Sequence, residues 1–140
     1  MNAVTLYHNP RCSNSRNVLA LIQHAGIEPE IVEYLQMPPS RTQLLVWAAA
    51  SGRGLRGLMR EKEARFIELG LAGPDVTEAD LLDALAAHPE LLNRPIVVTS
   101  RGVDLCRPPE RVFELLPVPG PLPPFELENG QQVWDSGKRR

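Results

Sequence analysis

Apolar residues occur along the chain in two patterns, short continuous runs and helical spacing, and these patterns predict its main strands and helices. A short apolar run at residues 3–7 predicts a first strand, and apolar positions at helical spacing within 18–25 predict the helix that follows it. Residues 30–35 are expected to form a second strand. A continuous β-branched run at 96–99 predicts a strand that is buried on both faces. The chain therefore begins as strand, helix, strand and returns to strand near residue 96.

Capping and turn residues indicate the elements between and after these strands. Residues 40–43 and 77–80 fit capping boxes, each opening a helix. The stretch 51–73 contains several glycines and is expected to form only short helical pieces. A tight turn at 101–102 should join the strand at 96–99 to a hairpin partner at 103–107. A last helix is predicted to begin at the two prolines that follow this hairpin.

This order of elements predicts an α/β fold that resembles the thioredoxin-like layout. We expect a mixed sheet in one domain at 1–116, with a helical insertion at about 40–88 between the second and third strands. Such folds place a reactive cysteine after the first strand and a proline before the third, where Pro95 stands; its isomer stays open. Five prolines fall within residues 117–124. We therefore interpret 117–140 as an irregular tail, either a wrap or a loose extension.

Composition excludes several classes of function. The 140 residues carry a formal net charge of −2, so no global charge points to nucleic acid or an anionic membrane. Two cysteines, Cys12 and Cys106, are too few for a disulfide scaffold or a cysteine-rich zinc site. No signal peptide and no apolar run near the length of a membrane span is evident. We expect a cytoplasmic monomer without a bound metal or cofactor.

The candidate chemistry lies in residues 8–16. Cys12 falls at the turn between the first strand and the first helix, where unpaired backbone N–H groups converge and the helix dipole is positive. This position stabilises a thiolate or a bound oxyanion. A lone cysteine is often a packing residue, but the polar neighbours of Cys12 argue against an apolar pocket. We assign to this anion loop Arg11, Ser13, Asn14, Ser15 and Arg16, with His8 as a further donor or charge.

Several motifs together resemble the glutaredoxin-dependent arsenate reductases of the ArsC family, from residue 4 to about residue 116. They are His-Asn-Pro-x-Cys at 8–12, Ser-Arg at 15–16, Leu-Gly-Leu at 69–71, Asn-Arg-Pro-Ile-Val-Val at 93–98 and Cys-Arg-Pro at 106–108. The resemblance implies that Cys12 is the catalytic thiol and that His8 helps to depress its pKa. It also implies that Arg60, Arg94 and Arg107 hold the oxyanion. Arg11 stands where some members of the family have a smaller residue, and Asn14 stands where Lys or Thr is common.

Each implied residue also has a structural interpretation. Arg60 could belong to a solvated helix face, Arg94 could cap the preceding helix, and Arg107 could pair with Glu110. His8 could simply hydrogen-bond the turn. We interpret His24 and His88 as structural, and Cys106 as a packing residue, with a resolving thiol as the alternative.

The resemblance implies reduction of arsenate(V) to arsenite(III) through a covalent intermediate between Cys12 and arsenic. Because Ser15 stands where a Cys-x-x-Cys motif would have its second thiol, an external thiol must supply the electrons. The resemblance implies glutathione as co-substrate and then glutaredoxin as this donor. Two alternatives remain: a related thiol oxidoreductase with another substrate, and an Spx-like regulator that binds RNA polymerase. The sequence leaves open whether arsenate is the physiological substrate.

Overall fold

A computed structural model describes residues 3–140 and divides them into two compact units. The first unit comprises the described residues up to Glu33 together with Arg94–Arg140, and the second comprises Tyr34–Asn93. The strands are β1 (Val4–His8), β2 (Glu30–Glu33), β3 (Ile96–Thr99), β4 (Gly102–Leu105), β5 (Phe125–Glu126) and β6 (Gln132–Val133). The α-helices are α1 (Ser13–His24), α2 (Arg41–Ser51), α3 (Gly54–Gly57), α4 (Ala64–Glu68) and α5 (Glu78–Ala87), and 3-10 helices span Pro89–Leu91 and Pro109–Leu115.

The first unit contains a four-stranded mixed sheet in the order β2-β1-β3-β4. β1 pairs in parallel with β2 and antiparallel with β3, and β3 pairs antiparallel with β4. The register aligns Tyr7 with Ile96 and Ile96 with Leu105, so these residues form one row across three strands. The end of β1, the start of β3 and the end of β4 therefore meet at the same edge of the sheet. The predicted thioredoxin-like sheet, with helices inserted between its second and third strands, is confirmed.

Helix α1 packs its apolar face into the core of the first unit. Val18, Leu21 and Ile22 lie at the i, i+3, i+4 spacing of one helix face and are fully buried. Each such side chain stabilises the fold by about 1.5–3 kcal/mol on burial. The buried cluster also contains the sheet residues Val4, Leu6 and Val97 and the apolar face of the 3-10 helix Pro109–Leu115. The predicted last helix thus exists, as a 3-10 helix.

The tail at 117–140 follows the first of its two interpretations, a wrap, and adds a short hairpin that the sequence did not predict. β5 and β6 form a two-stranded antiparallel sheet, which pairs Phe125 with Val133. Val133 and Leu127 are buried in the same core cluster as α1, because the first unit leaves apolar surface that these side chains cover. The tail is therefore a packed wrap with a short hairpin and not a loose extension.

An ion pair fixes the end of this tail. Asp135 binds Arg139 with two hydrogen bonds of 2.7 and 2.8 Å, and it accepts the backbone N–H groups of Leu122 and Gly137. The Asp135 side chain is completely buried. Gly120 allows the close approach of Arg139, since a Cβ there would lie 2.8 Å from the guanidinium carbon.

The second unit contains the inserted helices, and it is longer at both ends than the predicted 40–88. Both predicted capping boxes are present, at Ser40 with Gln43 and at Thr77 with Asp80. The stretch 51–73 forms only the short helices α3 and α4, as its glycines suggested. Among residues 3–140, no helix has the length and apolar character needed to cross a membrane.

We expect Asp135→Asn to destabilise the protein by about 2 kcal/mol at neutral pH. Hydrogen bonds from Arg139 hold the pKa of Asp135 at about 2, below its ordinary value, and outweigh its burial. A carboxyl with a lowered folded pKa stabilises the native state above its unfolded pKa and loses that contribution as the pH falls toward 2. The difference between wild type and variant, measured by urea unfolding, should therefore shrink between pH 4 and pH 2.

The exposed carboxylate of Asp83, which pairs with Arg41, provides the control. Asp83→Asn should change the unfolding free energy by less than about 1 kcal/mol at neutral pH. An equal effect of the two substitutions would contradict a special role for the buried pair.

Candidate active site

Cys12 occupies the N-cap position of helix α1. Its backbone is extended, with φ −96° and ψ 122°, and its carbonyl accepts the N–H of Arg16 at 3.0 Å. Its own N–H donates to the carbonyl of Asn9, which closes the turn after β1. The sequence placed the capping residue types at 13–15, but the structure puts the thiol itself at the cap. The sulfur consequently faces the unpaired N–H groups of the first helical turn.

The pKa of the Cys12 thiol lies below its ordinary value. Burial alone would raise this pKa, because only 8% of the residue is exposed. The backbone N–H of Ser15 and a hydrogen bond from the Arg94 side chain oppose burial, and the N–H of Asn14 adds to them. Together these donors stabilise the thiolate more than burial destabilises it. The thiolate is the nucleophilic form of cysteine.

Arg94 and Arg107 lie on either side of the β3–β4 hairpin at the edge where the thiol loop ends. Arg94 comes just before β3 and Arg107 just after β4, so antiparallel pairing brings them together. Nη1 of Arg107 lies 4.0 Å from Sγ of Cys12 and donates to the carbonyl of Arg94 at 3.1 Å. The Arg94–Pro95 peptide bond is cis. The suggested pairing of Arg107 with Glu110 is not among the ion pairs of the described residues.

His8 is buried at the end of β1 and acts on the thiol loop through Ser15. Its Nδ1 and the Oγ of Ser15 are 2.7 Å apart, and this Oγ also accepts the N–H of Asn9. Burial lowers the pKa of His8 below its ordinary value, Arg16 lowers it further, and Glu33 opposes both. His8 is therefore neutral at neutral pH. It contributes a hydrogen bond and not the positive charge that the sequence also allowed.

The remaining residues of the anion loop have different environments. Arg16 donates to both carboxylate oxygens of Glu128, at 2.8 and 3.0 Å, and to the carbonyl of Pro10. Arg11 and Ser13 are exposed. Glu128 was missed by the sequence analysis, since it lies in the tail and no motif connects it to residues 8–16. Arg16 thus connects the anion loop to the tail, and the donors that bind Glu128 and Pro10 are directed away from the sulfur of Cys12.

Asn14 is the loop residue that reaches the two arginine segments. Its side-chain amide donates to the carbonyls of Arg94 and Cys106, at 3.3 and 3.0 Å. Cys106 is fully buried and belongs to the core cluster, as the packing interpretation expects. Within the described chain, no group of three or more His, Cys, Asp or Glu side chains could hold a metal ion.

Arg60 belongs to the second unit, where its Nη1 forms an ion pair with Glu63 at 3.0 Å. Its backbone N–H donates to the carbonyl of Leu91. Its contact with an oxyanion stays a prediction. His24 Nε2 lies 2.8 Å from the carbonyl oxygen of Pro123, and His88 Nδ1 lies 3.7 Å from Oε1 of Glu90, which fits their interpretation as structural residues.

Comparison with known proteins identifies the relatives of this chain. The model of the ArsC family matches residues 7–115. An arsenate reductase of Rhizobium meliloti is 50% identical over 137 residues, covering 98% of this chain and 97% of that protein. An arsenate reductase of Escherichia coli is 46% identical over 140 residues, covering 99% of each. The solved structure of an arsenate reductase from Vibrio cholerae has a TM-score of 0.78 and 41% identity, and covers 81% of this chain and 98% of that one.

We expect the Cys12 thiol to ionise at a lower pH than the thiol of an unstructured cysteine peptide measured in parallel. Alkylation rate against pH reports this midpoint, and buried Cys106 should not react in the folded protein. Arg94→Ala should raise the midpoint, because it removes a donor and a positive charge from the thiolate. Arg101→Ala, in the β3–β4 turn, should leave it unchanged. Equal midpoints for wild type and peptide would contradict the geometry described above.

We expect the pKa of His8, measured by NMR titration of its ring protons, to lie below the ordinary histidine value of about 6.5. Two substitutions should move it in opposite directions. Glu33→Gln removes a charge that raises the pKa and should lower it further, whereas Arg16→Gln removes a charge that lowers the pKa and should raise it. Shifts of the same sign would show that His8 does not sense these charges as the structure indicates.

Proposed function

Because this chain belongs to the ArsC family, we propose that it is an arsenate reductase that uses Cys12 as its nucleophile. One observation carries the proposal: a thiol with a lowered pKa lies at a helix N-terminus, hydrogen-bonded by Arg94 and 4.0 Å from a nitrogen of Arg107. Two convergent guanidinium groups fit a ligand with several anionic oxygens.

Arsenate fits this arrangement in charge and shape. It is a tetrahedral oxyanion with one to two negative charges at neutral pH, and its oxygens can accept hydrogen bonds from arginine. The N–H groups at the start of α1 supply further donors. We propose Arg94 and Arg107 as ligands of arsenate and Arg60 as the third. The charge of the arginines offsets the repulsion between the thiolate and its anionic substrate.

In the proposed reaction the Cys12 thiolate attacks arsenic, an S–As bond forms, and one arsenate oxygen leaves as water after protonation. A second thiol attacks the sulfur of Cys12 and breaks the S–As bond. The bonding pair remains on arsenic, which is reduced from arsenic(V) to arsenic(III) and released as arsenite. The two sulfurs are oxidised to a disulfide. A further thiol then reduces this disulfide and returns Cys12 to the thiolate.

The second thiol is proposed to come from outside the chain. Ser15 replaces the second cysteine of a Cys-x-x-Cys motif and is itself buried against His8. Cys106 is fully buried, with its sulfur beside the carbonyl of Asp104. Glutathione followed by glutaredoxin is the donor pair that the resemblance to glutaredoxin-dependent reductases implies. Thioredoxin is the alternative electron donor, and the assay must distinguish it from glutathione with glutaredoxin.

We expect purified protein to reduce arsenate when glutathione, glutaredoxin and glutathione reductase are supplied, with arsenite formation matched to NADPH consumption. Cys12→Ser should abolish turnover and Cys106→Ala should retain it. Arg94→Ala and Arg107→Ala should each lower kcat/KM by tenfold or more, equivalent to at least about 1.4 kcal/mol of transition-state stabilisation. Retained turnover in Cys12→Ser would overturn the mechanism.

Arg60 has a matched control in the same unit. Arg60 and Arg65 each form an i,i+3 ion pair with a glutamate, at 3.0 and 3.3 Å. Arg60→Ala should reduce kcat/KM, whereas Arg65→Ala should not. Replacing glutaredoxin with thioredoxin tests the donor. Turnover with thioredoxin alone would leave arsenate reductase correct and the glutaredoxin assignment wrong.

A further inference from the structure

We infer that Asn14 is a positioning residue that holds Arg94 and Arg107 in the spacing required to bind a tetrahedral oxyanion beside Cys12. The inference rests on the proposed function in one respect, namely that these arginines bind the substrate. It adds a residue whose side chain binds the two arginine segments, while only its backbone N–H donates to the thiolate.

The side-chain amide of Asn14 matches the acceptors around it. Its nitrogen carries two N–H donors, and two carbonyl oxygens lie within hydrogen-bond distance, that of Arg94 at 3.3 Å and that of Cys106 at 3.0 Å. Asn14 is 80 positions from Arg94 and 92 positions from Cys106 in the chain. One amide therefore joins the start of α1 to two distant segments.

These two segments carry the arginines at the point where the strand pairing of β3 and β4 ends. The last paired residues are Ile96 and Leu105, and the N–H of Cys106 then donates to the carbonyl of Pro95. Arg94 and Arg107 lie beyond this ladder, outside both strands. Asn14 bridges the carbonyls of Arg94 and Cys106 just beyond that point. It consequently fixes the backbone from which each arginine side chain extends.

Arg107 shares one of the acceptors used by Asn14. Its Nη1 donates to the carbonyl of Arg94 at 3.1 Å, and a carbonyl oxygen has two lone pairs. Asn14 and Arg107 thus occupy both acceptor positions of this oxygen, and the same Nη1 is 4.0 Å from the sulfur of Cys12. A displacement of the Arg94 carbonyl would therefore move both guanidinium groups relative to the thiol.

The backbone and the side chain of Asn14 act on different groups. Its backbone N–H is one of the donors to the thiolate, and any residue except proline would keep that donor. Its side chain reaches the arginine segments and is lost on truncation. Asn14→Ala should accordingly weaken anion binding, and it should raise the pKa of Cys12 less than Arg94→Ala does, because the backbone N–H donors and the Arg94 guanidinium itself remain. If Asn14 had a purely structural role, the variant would lose thermal stability, and anion binding would not be affected more than the ionisation of Cys12.

The test measures protection of Cys12 against alkylation by increasing concentrations of sulfate, a tetrahedral anion that needs no reduction. Wild type should be protected, and Asn14→Ala should require about fivefold to tenfold more sulfate, as expected for the loss of one or two hydrogen bonds. The alkylation midpoint of the free variant should rise less than that of Arg94→Ala, which loses the donor and its charge altogether. With arsenate as substrate, KM should rise more than kcat falls.

Asn17→Ala is the matched control. Asn17 lies on the same helix with similar partial exposure, and its amide oxygen accepts the N–H of Glu128 in the tail. This variant should show sulfate protection equal to wild type. If Asn14→Ala does not fold, Asn14→Ser replaces it, because serine suits the first helical turn and is too short to bridge both carbonyls.

Unchanged sulfate protection in the Asn14 variant would overturn the inference, and so would an absence of protection in wild type. A midpoint raised as far as in Arg94→Ala, together with a large loss of thermal stability, would show a general structural role and would also overturn it. None of these results depends on turnover. A chain in which sulfate protects Cys12 and this protection depends on Asn14, but which does not reduce arsenate, would refute the proposed function alone.

Discussion

The stabilisation of one buried sulfur anion is the constraint on which the arrangement of the first unit depends. Cys12 is almost completely buried, and a thiolate in such a place is unfavourable unless donors replace the lost water. The start of α1 supplies backbone N–H groups that have no partner within the helix. Because Cys12 is the N-cap residue, its side chain lies where these groups point. Arg94 adds a charged donor, and the balance favours the anion.

The mixed sheet provides the second half of this arrangement. β1 and β4 both lie antiparallel to β3, so the end of β1, the start of β3 and the end of β4 share one edge. The thiol loop follows the first of these ends, and Arg94 and Arg107 flank the other two. Hydrogen bonds to the carbonyl of Arg94 connect all three segments. Burial of α1 against the sheet core then keeps this edge in place, since cores of this kind are closely packed.

Local sequence patterns predicted the helices and strands well, but they could not predict contacts between residues that are distant in the chain. The capping boxes at Ser40 and Thr77 are satisfied within four residues, so the sequence is sufficient to recognise them. The sequence could not decide between a wrap and a loose extension for the tail, because burial of Leu127 and Val133 depends on a distant core. The charge of His8 likewise depends on burial, which no neighbouring residue indicates.

The sequence by itself determined the order of strands and helices, the place of Cys12 at a helix start, and the absence of a second thiol at position 15. These features depend on residues that are close together in the chain, because a turn or a helix start is formed by hydrogen bonds between near neighbours. Only the tertiary structure decided that the amide of Asn14 binds the carbonyls of two arginine-bearing segments and that Arg16 forms an ion pair with Glu128. Hydrogen bonds between residues about 80 to 112 positions apart form only when the sheet and the tail have packed, so no local pattern contains them.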